Sequence, residues 1–250
     1  MNEQRLRRLI GLSFILGAIL INVPYFILIV TFDYPTILRE PTAVILTRFQ
    51  AGGSSLILTW LAFAWIGLPL LFAIGMLPRV LARADIPYLG IATTIGIAAM
   101  VVQMVGLLRW VFVVPVLAQL YVDPSSTESI RAVVAVVFQA VHQYGGVVVG
   151  EHLGYAFVCM WMALISVGLL RARLFPRWLG VFGLGAAAIY SLAHGELLAT
   201  VIPNFPAWGL AGLLGSLCWL AWMIALGVFL LRAAPESRPR SVNQLAGTAA

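Results

Sequence analysis

The 250-residue chain is 62% hydrophobic and only 10% charged, and its mean hydropathy is +1.02. A soluble domain carries about a quarter charged residues, so this composition excludes a water-soluble globular fold and indicates an all-α protein embedded in a lipid bilayer. The net charge of +6 comes from 15 arginines and no lysine. Because the arginines form short clusters between apolar segments, the pattern is typical of membrane topology and not of nucleic-acid binding.

Six apolar segments reach the roughly 20 residues that a helix needs to cross the hydrocarbon core. They are 9–32, 55–77, 88–108, 152–170, 178–200 and 209–231. The first imitates a signal peptide, but its apolar run continues to Phe32 without a small-residue cleavage site, so we interpret it as an uncleaved span. We therefore predict one transmembrane domain over 1–234, followed by a disordered cytoplasmic tail over 235–250.

The arginine clusters predict the orientation of these six spans. With both termini in the cytoplasm, eleven arginines and three acids give a charge of +8 inside, and four arginines with six acids give −2 outside. The four outer arginines are Arg39, Arg48, Arg109 and Arg131. Cytoplasmic loops of membrane proteins carry an excess of lysine and arginine, so we predict that the N- and C-termini are both cytoplasmic.

Two outer segments are predicted to form helices or apolar stretches in the membrane interface. In 33–53, Pro41 suits a first helical turn, apolar and polar residues take opposite faces, and Gly52-Gly53 closes the helix. The stretch 109–121 is apolar and is interrupted by Pro115. The outer connections are thus long and structured, which makes the outer side the candidate functional side.

The segment 124–150 admits two interpretations. It is apolar enough to be a seventh span, but crossing would move the arginines of 171–177 outside and abolish the charge asymmetry. It is also polar for a lipid-facing helix, since it contains Arg131, Gln139, His142 and Gln143. We therefore predict an additional interfacial or re-entrant helix that ends at Gly145-Gly146, with the seven-span arrangement as the alternative.

Polar residues from four segments are predicted to share one depth near the outer side. An ionisable group at membrane depth is expensive and is usually paired or hydrated, so this clustering predicts an outward-facing pocket. Its candidate ligand-binding residues are Gln103, Arg109, His142, Glu151, His152 and His194. No catalytic residue is assigned.

The adjacent pair Glu151-His152 also has a simpler explanation, because a glutamate in the first turn of a helix is favoured by the helix dipole. The two residues differ by about 100° around a helix, so only one of them can face the bundle interior. His194 and Glu196 differ by about 200°, so both can reach one site only if the helix loosens at Gly195.

Several functions fit these residues. The leading hypothesis is binding or sensing of a small ligand, lipid headgroup or ion. A metal- or haem-dependent enzyme on the same residues is the second, although no tight His/Glu spacing predicts a metal site and Cys159 and Cys218 form no C-x-x-C pair. A proton-coupled transporter and a subunit that packs against a membrane-protein partner are further alternatives, and the cofactor stays unassigned.

Four motifs carry a resemblance to a known family over most of residues 10–232. They are FDYPTILREPTAVILTRFQAGGSSLILTW, LLRWVFVVPVLAQLY, VFQAVHQYGGVVVGEHLGY and LFPRWLGVFGL. Together they resemble a bacterial multi-pass membrane protein family catalogued as domain of unknown function 4386. The resemblance implies a protein of the bacterial inner (cytoplasmic) membrane, and it implies no particular activity, ligand or catalytic residue.

Overall fold

Six long apolar helical segments dominate the structure, a computed structural model that describes residues 2–81 and 86–232. Each is long and apolar enough to cross a membrane, so the chain is an all-helical, multi-pass membrane protein. In chain order the spans are Glu3–Phe32, Thr42–Leu81, Leu89–Val122, Glu128–Ala172, Arg177–Ala199 and Ala211–Arg232. The predicted tail over 235–250 lies outside the described residues.

Short interruptions divide five of the spans into separate helices. The first contains α1 (Glu3–Leu20) and α2 (Asn22–Phe32), the second α3 (Thr42–Trp65) and α4 (Gly67–Leu81), and the third α5 (Leu89–Phe112) and α6 (Val114–Val122). The fourth contains α7 (Glu128–Val141), a π-helix (His142–Leu153) and α8 (Gly154–Ala172). The fifth contains α9 (Arg177–Ser191) and α10 (His194–Ala199), and the sixth is α11 (Ala211–Arg232). A single 3₁₀ turn, Thr36–Arg39, follows the first span.

The outer helix predicted within 33–53 is the beginning of the second span. It starts at Thr42, directly after Pro41, and α3 continues through Gly53 with a break in its backbone. At Gly53 φ is +55°, a left-handed conformation that glycine adopts without a steric penalty. The two glycines therefore mark a kink, whereas the sequence pattern had predicted a helix end.

The helix end predicted at Gly145-Gly146 is wrong. The helix that begins at Glu128, where the Thr127 hydroxyl accepts a hydrogen bond from the Ile130 amide, continues through these glycines as the π-helix and enters α8. The segment 124–150 is thus an extension of the fourth span, not a separate re-entrant helix or a seventh span. The physical reason is packing, because the glycines admit the neighbouring helix α5 instead of ending their own.

Consecutive spans run antiparallel, as the close approaches of their glycines show. Gly96 of α5 lies against Trp161, and ten residues later Gly106 lies against Gly150, so the third span rises while the fourth descends. The end of the bundle where the chain begins is called the arginine end, and it carries Arg5, Arg7, Arg8, Arg79, Arg171, Arg173, Arg177 and Arg232. The spans turn back away from the arginine end at the connections 33–41, 123–127 and 200–210, and 123–127 marks the opposite, distal end.

Two hydrophobic cores are stacked along the bundle. The arginine-end core contains buried side chains from all six spans, among them Phe14, Leu70 and Trp222. The distal core contains buried side chains from the first four spans and the 3₁₀ turn, and its centre is the stacked pair Trp60–Trp110, with ring centroids 4.9 Å apart.

The unequal lengths of the spans explain this division. The second and fourth spans contain 40 and 45 residues, whereas the fifth and sixth contain 23 and 22. At about 1.5 Å per residue, the longer pair reaches roughly 60–70 Å, about twice the thickness of the hydrocarbon core. Fewer helices therefore build the distal half, and the level at which the fifth and sixth spans stop is the level of the site described next.

Candidate functional site

A cavity of about 520 Å³ lies where the two cores meet. All six spans contribute to its wall, together with the connection that follows the first span. Its size falls within the roughly 300–1,000 Å³ that small-molecule sites occupy. The cavity is therefore large enough to hold a ligand.

Arg109 is the most deeply buried charged residue of the cavity wall. It lies near the end of α5, is only 8% exposed, and donates a hydrogen bond from Nη1 to the carbonyl oxygen of Gly106. Its Cζ atom lies 5.1 Å from the ring centroid of Trp110, a cation–π distance. Its Nε has no hydrogen-bond partner, and no carboxylate of the described residues lies within 4 Å of its nitrogens. The guanidinium is thus buried without a direct ion pair.

Glycines of the π-helix make room for this guanidinium. A Cβ atom on Gly146 would lie 2.5 Å from Nη2 of Arg109, and a Cβ atom on Gly106 would lie 2.5 Å from the Cα of Gly150. The π-helix and α5 therefore approach backbone to backbone at Gly106, and the missing side chain of Gly146 leaves space for the Arg109 guanidinium. A π-helix is rare and is frequently found at functional sites, and this one carries Glu151 in its last turn.

Three charged side chains join separate parts of the chain at the mouth of the cavity. Nη2 of Arg39 lies 3.3 Å from Oε2 of Glu151 and 3.4 Å from Oε1 of Glu196. The side chains of Arg39 and Glu196 are 35% and 48% exposed, whereas that of Glu151 is 17% exposed. The ion pairs thus connect the 3₁₀ turn to the fourth and fifth spans, with Glu151 as the inner partner.

Four tyrosines line the cavity. The rings of Tyr155 and Tyr190 have centroids 4.9 Å apart, and the ring of Tyr34 lies 5.5 Å from that of Tyr25 and 5.2 Å from that of Trp60. Burial raises the pKa of Tyr34 above its ordinary value, and the nearby negative charge of Glu151 raises it further. Tyr34 therefore stays protonated and keeps a hydroxyl that can donate a hydrogen bond.

Hydrogen-bond donors without partners are concentrated in this wall. Five lining side chains have a buried nitrogen for which the structure shows no partner: Nε1 of Trp60, Trp110 and Trp219, Nε2 of Gln103, and Nε of Arg109. All five are N–H groups, which can only donate. A buried donor without an acceptor costs about 1–3 kcal/mol. These nitrogens are inaccessible to water, so they lie behind the cavity surface.

The structure brings three of the six predicted site residues to the cavity and leaves three outside it. Gln103, Arg109 and Glu151 line the wall. His142 lies behind it, with its ring stacked on Phe138 at 5.3 Å and its Nε2 3.1 Å from the carbonyl oxygen of Leu38. His142 thus supports the connection that carries Arg39.

His152 and His194 pair with each other on the other side of the π-helix. Their ring centroids are 4.9 Å apart and edge-to-face, and Nε2 of His194 lies 3.2 Å from the carbonyl oxygen of His152. Nδ1 of His194 lies 2.9 Å from the carbonyl oxygen of Ser191. The two histidines therefore link the fourth and fifth spans outside the cavity.

Glu151 and His152 occupy different surroundings, as their angular separation required. Glu151 faces the cavity, and His152 faces His194. The alternative explanation, in which Glu151 begins a helix, is wrong, because that helix begins at Glu128. In the fifth span the helix is interrupted at Leu192 and Ala193, just before the predicted position, and Glu196 reaches the cavity while His194 does not.

Several cavity residues were not among the predicted site residues. Arg39 had been assigned to an outer connection, and the tyrosines and tryptophans look like ordinary interfacial or core residues in the sequence. Tyr34 and Arg39 lie in the short connection 33–41 between the first two spans. This position was the sequence feature that could have identified them as candidate site residues. Within residues 2–81 and 86–232, no group of three or more His, Cys, Asp or Glu side chains is arranged to hold a metal ion.

Residues 9–227 match the family model described as Domain of unknown function (DUF4386). Since this match covers most of the 250 residues, the chain belongs to that family, and the resemblance seen in the motifs is confirmed. No curated protein and no solved structure matches the chain.

Proposed function

We propose that this DUF4386 protein binds a small ligand or headgroup, rich in hydrogen-bond acceptors, in the cavity between its two cores. The role is binding or sensing. The observation that carries the proposal is a cavity of about 520 Å³ whose wall contains the buried guanidinium of Arg109, which has no carboxylate within 4 Å.

A bound anion would give Arg109 the direct ion pair that it lacks. An unpaired buried charge is costly, and a phosphate or carboxylate group would supply the partner together with several acceptor oxygens. Arginine is well suited to this because its planar guanidinium donates two parallel hydrogen bonds to such groups. Glu151 and Glu196 make their direct ion pairs with Arg39 and not with Arg109.

The ion pairs of Arg39 fit a mouth that can open. Partly exposed ion pairs contribute only about 0–1 kcal/mol each, because water screens them. Breaking them to admit a ligand therefore costs little. The buried Arg109, deeper in the cavity, is the part that holds the ligand.

The geometry favours binding over the alternative of a haem- or metal-dependent enzyme. His152 and His194 contact each other edge-to-face, and His194 directs both ring nitrogens at carbonyl oxygens. Neither residue lines the cavity. A built cavity also favours binding over a subunit that merely packs against another membrane protein.

We further propose that the arginine end faces the cytoplasm of a bacterial cell and that the cavity faces outward. The clustering of arginines at one end of an antiparallel bundle supports this orientation. Single cysteines at positions 128 and 174, in a chain without Cys159 and Cys218, test it. A membrane-impermeant thiol reagent added to intact cells should label position 128 and not 174, and the reverse pattern would refute the orientation.

Native mass spectrometry of the gently purified protein tests the binding proposal. The wild type should carry a non-covalent bound species, and Arg109→Met should lack it because the buried positive charge that pairs with the ligand is removed. Arg131→Met is the matched control, since Arg131 is exposed and donates to the carbonyl oxygens of Tyr121 and Asp123 at the distal end. An empty wild type, or equal occupancy in Arg109→Met, would overturn the proposal.

A further inference from the structure

The first and sixth spans pack tightly near the arginine end and separate farther along. A Cβ atom on Gly11 of α1 would lie 2.7 Å from the carbonyl oxygen of Gly227 in α11, so these helices touch backbone to backbone. The first span is then interrupted at Ile21, where the Asn22 side chain donates hydrogen bonds to the carbonyl oxygens of Ala18 and Ile19. Beyond this point α2 forms no extended packing interface with α11.

The cavity occupies the space between the two separated helices. Ile21, Asn22 and Tyr25 line it from the first span, and Leu213, Leu217 and Leu220 line it from α11. Leu213 and Leu217 are also 49% and 50% exposed on the outside of the bundle. These residues therefore belong to the cavity wall and to the outer surface together, and the opening they border is called the α2–α11 slot.

The surface around the slot is apolar. Val23 and Phe26 on α2 are 55% and 65% exposed, and Leu214 on α11 is 38% exposed. In a bundle that crosses a bilayer, such side chains contact acyl chains. The slot therefore opens toward lipid, whereas the mouth at Arg39 is charged.

The cavity changes in chemical character from the slot to its inner end. Leucines border the slot, while the polar side chains of Gln103, Arg109 and Glu151 also line the cavity. We infer that the ligand is a membrane amphiphile that enters sideways through the α2–α11 slot and places an anionic phosphate headgroup against Arg109. This inference rests on the proposed function and specifies the class of ligand.

The same headgroup chemistry is also available in water as a free phosphate ester, which would enter through the mouth at Arg39. The two sources differ in whether an acyl chain occupies the slot. A pair of variants on α11 separates them. Leu217→Trp fills the slot, and Leu214→Trp adds the same side chain three residues away, on a surface that does not line the cavity.

The test titrates wild-type protein and both variants in detergent with palmitoyl lysophosphatidic acid and, separately, with glycerol 3-phosphate. Bound fractions are read by native mass spectrometry. Lysophosphatidic acid should bind the wild type. Leu217→Trp should weaken that binding about tenfold or more, because excluding only two methylene groups of the acyl chain from the slot is enough for a tenfold loss of affinity. Leu214→Trp should bind it as the wild type does, and glycerol 3-phosphate binding should be equal in all three proteins.

Other outcomes overturn the inference and separate it from the proposed function. If lysophosphatidic acid does not bind, binds no tighter than glycerol 3-phosphate, or binds Leu217→Trp and Leu214→Trp equally, the sideways entry of an amphiphile is refuted. In each of these cases the proposed function still stands if the species that co-purifies with the wild type is lost in Arg109→Met. If Arg109→Met retains that species, the proposed function itself fails.

Discussion

The two halves of this bundle are built from different numbers of helices and different kinds of side chain. Six spans meet in the arginine-end core, where glycines such as Gly11 and Gly227 bring backbones into contact. The distal core contains side chains from four spans, and aromatic rings such as Trp60 and Trp110 fill it. Tight backbone contact leaves no room for a ligand, whereas the loss of two helices from the packing creates space at the junction.

The difference shows how a membrane bundle can hold a cavity without a separate domain. Shortening the fifth and sixth spans to 23 and 22 residues removes two walls at one level, and the interruption at Ile21 turns α2 away from α11. Polar groups placed at that level then face a cavity instead of lipid. Arg109, Gln103 and Glu151 all lie there.

The largest expected effects come from removing a central tryptophan from either half. Trp110→Ala and Trp222→Ala each remove a fully buried ring and should lower the unfolding free energy by about 3–5 kcal/mol. Only Trp110→Ala should also abolish occupancy of the cavity, because Trp110 lines it and Trp222 does not. Thermal unfolding in detergent and native mass spectrometry check the pair. Equal loss of occupancy in both would break the distinction between the halves.

The glycine contact beside Arg109 is expected to have the next largest effect. Gly106→Ala places a methyl group 2.5 Å from the Cα of Gly150, where neither backbone can yield, and should cost about 1–3 kcal/mol. Gly185→Ala in α9 is the matched control, since no atom lies within 4 Å of its new methyl group. It should stabilise the helix by up to about 1 kcal/mol. The unfolding temperature should fall in Gly106→Ala and rise in Gly185→Ala, relative to the wild type. A Gly106→Ala variant as stable as the wild type would contradict the close approach of Gly106 to Gly150.

Arg109 should reduce stability in the absence of a ligand. In ligand-free protein, Arg109→Met removes a buried charge that has no direct ion pair and keeps an apolar stem, so we expect stabilisation by about 1–2 kcal/mol. Arg131→Met should leave the unfolding temperature nearly unchanged. Marked destabilisation by Arg109→Met would indicate that Arg109 serves packing and not ligand binding.

The smallest expected effect concerns the mouth of the cavity. Arg39→Gln removes two partly exposed ion pairs and should change the unfolding free energy by less than about 1 kcal/mol. It should increase quenching of tryptophan fluorescence by acrylamide, since Trp60 and Trp110 line the cavity behind the mouth. Arg48→Gln, which breaks the exposed pair with Asp33, should leave quenching unchanged. Equal quenching in the two variants would place the mouth elsewhere.

The membrane class and the six spans could be predicted from the sequence because both depend on local composition. A segment of twenty apolar residues needs a bilayer whatever its neighbours are, and the six predicted segments overlap the six spans of the structure. The family could likewise be predicted from its motifs. Whether a helix ends at a glycine pair could not be predicted from the sequence, because glycine occurs both at helix ends and where helices pack closely. At Gly145 and Gly146 the neighbour α5 decides between them.

The candidate site was predictable in part for the same reason. Depth along a helix follows from counting residues, which placed Gln103, Arg109 and Glu151 near one level. The direction of a side chain depends on the rotation of each helix, and the π-helix changes that rotation between His142 and Leu153. The three histidines therefore lie outside the cavity, and Arg39 reaches it from a connection.

By itself, the sequence determined that this protein is a helical membrane protein, that it contains six apolar segments long enough to cross a bilayer, and that it belongs to its family. Each of these properties follows from the composition of short stretches of chain. The tertiary structure alone decided that Glu151 faces a cavity while His152 faces another histidine, that Arg109 is buried without a direct ion pair, and that α2 forms no extended packing interface with α11. These depend on which helices pack together and how each is turned, and such contacts join residues far apart in the chain.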